Sequence, residues 1–392
     1  MTAASTLGVL FAGGGSGGHL FPALAVAEQL RLMHPGVATR FLAADRAIDR
    51  SILEAAAVDF TQSPAAPLAA SPRGLLRFAS RWPRAVRDAR RRLDDLAAEQ
   101  GAAVLVAVGG FVAAPAAFAA PRSGPSRVPV IMLNLDAVPG KANRLIATRA
   151  DRILTTADLR GAARTDRWQR LPPIVRRDAL APSDPAECRS LLSLDPERPM
   201  LFITGASQGA GSINAFLEAF LDRHAGDLVD RGWQALHQAG PTANTADLSA
   251  AYDRAGVPAR VVPFVEQIGL AWGAATAAVA RAAAGTVGEV TVNRVPTLFL
   301  PYPYHKDQHQ LRNAEPLESA GAALIATDHV HAESTLAAAG PMLRDLILNE
   351  PRRQAITDRL REISPADPLE GARRVAQEVL GLAGITPPTP SA

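Results

Sequence analysis

Short runs of apolar, β-favouring residues alternate along this chain with longer segments whose apolar positions recur at helical spacing. Residues 8–11 read as a buried strand, 13–18 as a glycine turn and 19–33 as a helix. Pro22 falls in the first turn of that helix, where its missing N–H costs nothing. Residues 104–108 and 129–132 read as further strands of the same half. The second half repeats the opening: a strand at 200–203, a turn at 204–210 and a helix beginning over 212–220. Strands at 259–262, 277–280 and 297–301 follow. Alternation of this kind specifies a parallel sheet covered by helices. Two such runs predict an α/β protein of two doubly wound, Rossmann-like domains. The proline-rich stretch 161–199 reads as hinge and linker. The domains are then 7–172 and 173–384, and 385–392 is a Pro- and Ser-rich disordered tail.

One stretch changes the picture if it is read by hydropathy alone. Residues 102–121 carry no charge, and as one helix they would reach about 30 Å. Gly109-Gly110 and Pro115 interrupt that helix, so the segment reads as a buried strand ending in a turn and not as a membrane span. The amino terminus lacks the basic start and long apolar core of a signal peptide. The formal net charge of +3 gives no whole-molecule field that selects nucleic acid. A single cysteine, Cys188, excludes an intrachain disulfide and a cysteine zinc cluster and fits a reducing compartment. Charge is local instead. Between residues 73 and 92 eight arginines stand against one acid, Asp88, with Leu75, Leu76, Phe78 and Trp82 interleaved. Arg73, Arg77 and Arg81 beside Leu75, Leu76, Phe78 and Trp82 fit an anionic membrane surface.

Three glycine turns carry the candidate chemistry. Gly13-x-Gly15-x-x-Gly18 follows a strand and opens a helix. Its glycines let backbone N–H groups approach a diphosphate, whose charge the helix N-terminus favours. Asp45 lies where a ribose-binding acid follows such a turn. His19 sits at the helix start, where the positive dipole end favours the neutral imidazole, a form able to take a proton. Gly109-Gly110-Phe111-Val112 is a second strand-to-helix turn of the same kind. The third, residues 204–210, also resembles a short-chain dehydrogenase cofactor turn, with Tyr302 and Lys306 as the catalytic pair. Pro301 and Pro303 oppose the helix that pair needs. Gly205-x-Ser207-x-Gly209 likewise copies a hydrolase nucleophile elbow, but Asp307 and His309 are too close in sequence to complete it.

Taken together, five segments are more specific than any one of them. These are Gly-Gly-Gly-Ser-Gly-Gly-His at 13–19, Val-Gly-Gly-Phe-Val at 108–112 and Gly-Ala-Ser-Gln-Gly-Ala at 205–210. Arg-Ala-Ala-Ala-Gly-Thr-Val-Gly-Glu at 281–289 and the run from Leu300 to Gln310, followed by Asn313-Ala314, complete the set. In this order and spacing the chain resembles the MurG family of peptidoglycan glycosyltransferases over nearly its whole length. The resemblance implies a GT-B fold with an interdomain cleft and an inverting transfer without an obligatory cofactor or metal. The sugar would pass from UDP-N-acetylglucosamine to the C4 hydroxyl of the N-acetylmuramoyl residue of undecaprenyl-linked lipid I, giving lipid II. It further implies a peripheral place on the cytoplasmic face of the bacterial inner membrane, and other cell-wall synthesis proteins as partners.

The resemblance also assigns residues. Ser16, Gly17, Gly18, Arg176, Ser207, Val265, Ala284, Gly285, Thr286, Val287, Gly288, Glu289 and Gln310 belong to the donor. Among them Ser207 would bond the diphosphate, Glu289 both ribose hydroxyls, Val265 the uracil through its backbone and Gln310 the sugar hydroxyls. Residues 284–288 would form a loop against ribose and phosphate. Gly15, Gly109 and Gly110 would face the acceptor diphosphate. On the residues themselves, not the resemblance, His19 and Asp136 are the catalytic candidates. The chain departs from the family pattern at Leu133-Asn134-Leu135-Asp136, where the family reads His-Glu-Gln-Asn. It departs again at Ala282-Ala283, in place of Ser-Gly, and at Gly288, in place of Ser. Two other readings stay open on the residues: a related GT-B transferase with another acceptor, and a nucleotide-dependent oxidoreductase or non-catalytic nucleotide-binding module.

Overall fold

The structure, a computed structural model, describes residues 7–15, 17–69, 71–159, 166–206 and 209–386. Contacts divide the chain into two compact units, one of residues up to Arg176 together with those from Leu369 onward, the other Arg177–Pro368. In chain order the first unit opens with β1 (Gly8–Ala12), α1 (Gly17–Met33), β2 (Ala38–Ala44), α2 (Ala47–Ala55), β3 (Asp59–Ser63) and α3 (Pro72–Gln100). It continues with β4 (Ala103–Ala107), α4 (Gly110–Ala119), β5 (Val130–Asn134), α5 (Lys141–Ile146), β6 (Arg152–Thr155) and β7 (Trp168–Arg170). The second unit runs α6 (Pro185–Leu191), β8 (Met200–Thr204), α7 (Gly211–Val229), β9 (Gln234–Gln238), α8 (Thr245–Arg254), β10 (Ala259–Val262) and α9 (Ile268–Ala274). Then come β11 (Ala277–Ala280), α10 (Ala284–Asn293), β12 (Thr297–Phe299), α11 (His309–Ser319), β13 (Leu324–Ile325), α12 (Ala332–Leu348) and α13 (Glu350–Ile363). The last helix, α14 (Glu370–Leu382), returns to the first unit.

Both sheets are parallel and start from the middle. The first has the order β3-β2-β1-β4-β5-β6-β7 and the second β10-β9-β8-β11-β12-β13. The strand order reverses between β1 and β4 in one unit and between β8 and β11 in the other. At such a switch the connections leave in opposite directions and open a crevice at the carboxyl ends of the strands. β1, β4, β5 and β8 are buried along their whole length, which is why they read as continuous apolar runs without alternation. The uncharged stretch 102–121 resolves into β4, the Gly109-Gly110 turn and α4, as its glycines require. Among the described residues no helix is long and apolar enough to cross a membrane.

Two sequence expectations are corrected. The span 173–384 is not one unit: 173–176 and α14 belong with the first sheet. α14 packs along α1 and buries Val375, Ala376, Val379 and Leu380, and at its start Gly371 fits against the carbonyls of Pro172 and Pro173, where a Cβ has no room. The proline-rich stretch 161–199 is also more than a linker. It supplies the edge strand β7 and the helix α6, capped by the Asp184 carboxylate and anchored by the buried Cys188. The tail from 387 lies outside the described residues.

Candidate functional site

In the first unit the turns after β1 and β4 meet at the strand-order switch. Gly14, Gly15, Gly109 and Gly110 all adopt positive φ, and a Cβ on Gly110 would stand 2.6 Å from the Gly14 carbonyl oxygen. Backbone therefore lies against backbone here, and only glycine permits it. Asp49, fully buried on α2, accepts the Gly15 N–H through Oδ2 (2.7 Å), while Arg46 donates to the Gly15 carbonyl (2.7 Å). His19 projects from the first turn of α1, and a Cβ on Gly109 would meet its Cδ2 and Nε2 at 3.1 Å. The residue is half-buried, with its ring against the Gly109 turn. Burial holds its pKa below the ordinary value, against the opposing pull of the Asp136 and Asp49 carboxylates. His19 thus stands within electrostatic reach of Asp136.

The departure at 133–136 has a structural account. Leu133 and Asn134 are the last residues of β5, and Leu133, Asn134 and Leu135 are buried. The Asn134 amide donates to the Asp136 carbonyl (2.8 Å) and to Thr155 Oγ1 (3.1 Å), and its oxygen accepts from Asn143 (3.0 Å). The Asn143 amide oxygen in turn lies where a Gly109 Cβ would meet it at 3.0 Å. Asn134 therefore ties the segment bearing Asp136 to β6 and to Asn143 of α5, which lies against the Gly109 turn. Arg176 ends this unit with its guanidinium over the Phe21 ring of α1 (4.7 Å), and Gly17 and Gly18 form the first turn of α1. Ser16 lies outside the described residues.

The second unit carries its candidate residues on the segments that follow β8, β10, β11 and β12. Ser207 lies outside the described residues. Beside it Ala206 and Gly209 take positive φ, and a Cβ on Gly209 would collide with Gly240. Residues 284–288 are not the loop expected from the sequence. They begin α10, whose N-cap Ala283 makes no side-chain cap and leaves the first N–H groups uncapped. Gly285 has open space around it, while Thr286 and Gly288 are buried and Val287 is half-buried. Glu289, on the second turn, accepts the Trp272 indole N–H at Oε2 (2.9 Å), and Trp272 is wedged edge-on against Phe202. The Gln310 side-chain oxygen accepts the Tyr302 N–H (2.9 Å), so this residue pins the 301–309 loop as well as presenting an amide. The Val265 N–H is already committed to Gln238 Oε1 (2.9 Å), which leaves its carbonyl as the backbone group to offer. Before α10 the buried Arg281 pairs with Asp328 (2.7 Å) and donates to the Leu300 carbonyl and to Ser212, which in turn donates to Asp328, joining the starts of α7, α10 and the 301–309 loop. Among the described residues no group of three or more His, Cys, Asp or Glu side chains could hold a metal ion.

Sequence reasoning missed Asp49, Asn134, Asn143, Trp272 and Gln238. One signal was available for some of them: Asn134 and the pair His237-Gln238 are polar residues closing fully buried strands. His237 itself is sealed between Tyr252 and Asn214 (3.1 and 3.0 Å), and burial lowers its pKa to about 3. On the basic helix α3, Leu75 and Leu76 are 49% and 71% exposed, and Phe78, Trp82 and Phe118 pack in sequence with Arg149 over Phe118. Arg73 and Arg77 are exposed beside them and Arg81 is half-buried.

Two parallel sheets, each with glycine turns at its strand-order switch, give the chain the two-domain GT-B architecture. The models of the glycosyltransferase family 28 N-terminal domain and C-terminal domain match residues 9–155 and 200–364. The crystal structure of Acinetobacter baumannii MurG shares the fold with a TM-score of 0.67 at 24% identity, covering 96% of this chain and 100% of that one. The calicheamicin glycosyltransferase CalG4 does so at 0.61 with 15% identity, covering 96% and 98%. Within the class, the chain belongs to the family of UDP-N-acetylglucosamine–N-acetylmuramyl-(pentapeptide) pyrophosphoryl-undecaprenol N-acetylglucosamine transferases. The transferase of that name from Thermobifida fusca is 34% identical, with 97% of this chain and 96% of that protein covered. The one from Acidothermus cellulolyticus is 36% identical, with 82% and 84% covered.

Proposed function

We propose that this chain transfers N-acetylglucosamine from UDP-N-acetylglucosamine to the C4 hydroxyl of N-acetylmuramoyl-pentapeptide linked through diphosphate to undecaprenol, converting lipid I to lipid II with inversion. The observation that carries this reading is the near-full-length identity with transferases named for that reaction. In this proposal the second unit takes the donor. Glu289, oriented by Trp272, accepts the ribose hydroxyls; the Val265 carbonyl meets the uracil; Gln310 reads the sugar. The uncapped first turn of α10 and the turn holding Ser207 carry the diphosphate and stabilise departing UDP. The first unit takes the acceptor, with its diphosphate on the Gly15, Gly109 and Gly110 backbone. His19 accepts the proton of the attacking hydroxyl, and Asp136 steadies the developing imidazolium.

Ser16, Gly17, Gly18 and Arg176 are further proposed donor contacts. No metal or cofactor has a role in the proposed step. The face of α3 bearing Arg73, Leu75, Leu76, Arg77, Phe78, Arg81 and Trp82 rests on the anionic cytoplasmic leaflet, where the lipid acceptor is held and other wall-synthesis proteins work. The test is an assay with lipid I and radiolabelled UDP-N-acetylglucosamine. Label entering a lipid fraction with the mass of lipid II is expected. Donor hydrolysis or binding without transfer to lipid I points instead to another acceptor, the outcome that the Leu133–Asp136 departure makes worth measuring.

A further inference from the structure

Gln238 closes β9 with its side chain buried, and three of the four hydrogen bonds its amide can make go to two different segments. Its amide nitrogen donates to Thr204 Oγ1 (3.2 Å) and to the Ala206 carbonyl (2.8 Å), both at the end of β8 where the third glycine turn begins. Its amide oxygen accepts the Val265 N–H (2.9 Å), beyond the end of β10. The backbone on either side is fixed, because the Ala239 N–H pairs with the Val262 carbonyl (2.9 Å) and so sets the amide at the carboxyl edge of the sheet. Only this orientation of the amide, nitrogen to two oxygens and oxygen to one N–H, satisfies the three partners.

We propose that Gln238 is a positioning residue for the nucleoside diphosphate. A single buried amide holds the phosphate-side turn and the base-side backbone at a fixed separation, so that one ligand can engage both. The proposal rests on the reading that the second unit binds the UDP moiety. It separates Gln238 from a general packing role because the two ends of the amide serve the two ends of the ligand. Gln238→Leu removes both attachments. Gln238→Glu keeps an acceptor for the Val265 N–H but sets a carboxylate oxygen against the Ala206 carbonyl, so it releases only the turn.

Calorimetric titration of the full-length chain with UDP, and with CDP as a ligand altered only in the base, reads both ends. Gln238→Leu is expected to weaken UDP by roughly tenfold or more, as loss of buried hydrogen bonds does, and to bring the UDP-to-CDP preference close to one. Gln238→Glu is expected to weaken UDP similarly while keeping the parental preference within about twofold. Parental UDP affinity and preference in a folded Gln238→Leu chain overturn the proposal. If that variant does not fold, Gln238→Glu decides, and parental UDP affinity there overturns it. A parent chain that binds no UDP at all overturns the donor reading itself, and this inference with it.

Discussion

At the scale of single residues, three side chains carry separable consequences. Glu289 is held by the Trp272 indole at one oxygen, so its carboxylate is oriented before any ligand arrives. Hydrogen bonds to a charged group contribute about 1.5–3 kcal/mol. Glu289→Ala should therefore raise the donor KM by roughly tenfold or more with a smaller change in kcat, as initial rates at varied donor will show. His19 is the proposed base, and losing such a group typically costs about 10²–10⁴ in rate. His19→Ala should lower kcat by that order while the melting temperature moves little; near-normal turnover would leave His19 a helix-start residue only. Because burial depresses its pKa, the imidazole stays unprotonated to below its ordinary value, and the acid limb of kcat/KM should fall below about pH 6.5. Asp136 pulls the other way, so Asp136→Asn should move that limb to still lower pH while keeping most activity at pH 8. A loss of two or more orders of magnitude in kcat at pH 8, with KM unchanged, would make the Asp136 carboxylate the base.

At the scale of elements, α3 shows how one helix can serve two surroundings. Ser71 caps its start by accepting the Gly74 N–H (3.1 Å), and Gly101 ends it in the left-handed conformation. Ala85, Ala89, Leu93 and Leu96 seal its later turns onto the first sheet, while the turns from Pro72 to Trp82 bury nothing fully. The acids that pair with its arginines, Asp88 and Asp94, also lie in the later turns, at Arg92 and Arg90. The early turns thus present cationic and apolar groups together. Each such charge contributes about 1 kcal/mol beside an anionic leaflet. Replacing Arg73, Arg77, Arg81 and Arg84 by Gln should release the chain from phosphatidylglycerol vesicles at low salt, read by co-sedimentation; equal binding by mutant and parent rejects the membrane role. The arginine pattern was legible in the sequence. So was the pairing of those arginines with exposed apolar residues, and Leu75 and Leu76 are exposed as that reading requires.

At the scale of the whole molecule, the return of α14 to the first unit is the main departure from a simple two-part chain. The helix buries Val375, Val379 and Leu380 completely, each contributing about 1.5–3 kcal/mol, against a stability of about 5–15 kcal/mol for a domain. Ending the chain after Pro368 should therefore unfold the first unit and spare the second. Hydrogen exchange read by mass spectrometry should find β1 and β4 unprotected and β8 and β11 protected; parental protection of β1 would show that α14 is dispensable. The sequence by itself determined the two parallel sheets, since buried strands must be continuous apolar runs and each glycine turn must follow one. It also determined the glycine positions, because no other residue takes those φ values without strain, and the family to which the motifs point. Only the tertiary structure decided which polar residues support the sites. Asp49 beneath Gly15, Asn143 beside Gly109, Trp272 on Glu289 and Gln238 between Ala206 and Val265 are partners from different elements, and no local spacing encodes them. It also decided where α14 rests. An amphipathic helix declares that it has an apolar face, but the surface that face covers depends on which unit leaves a matching one open.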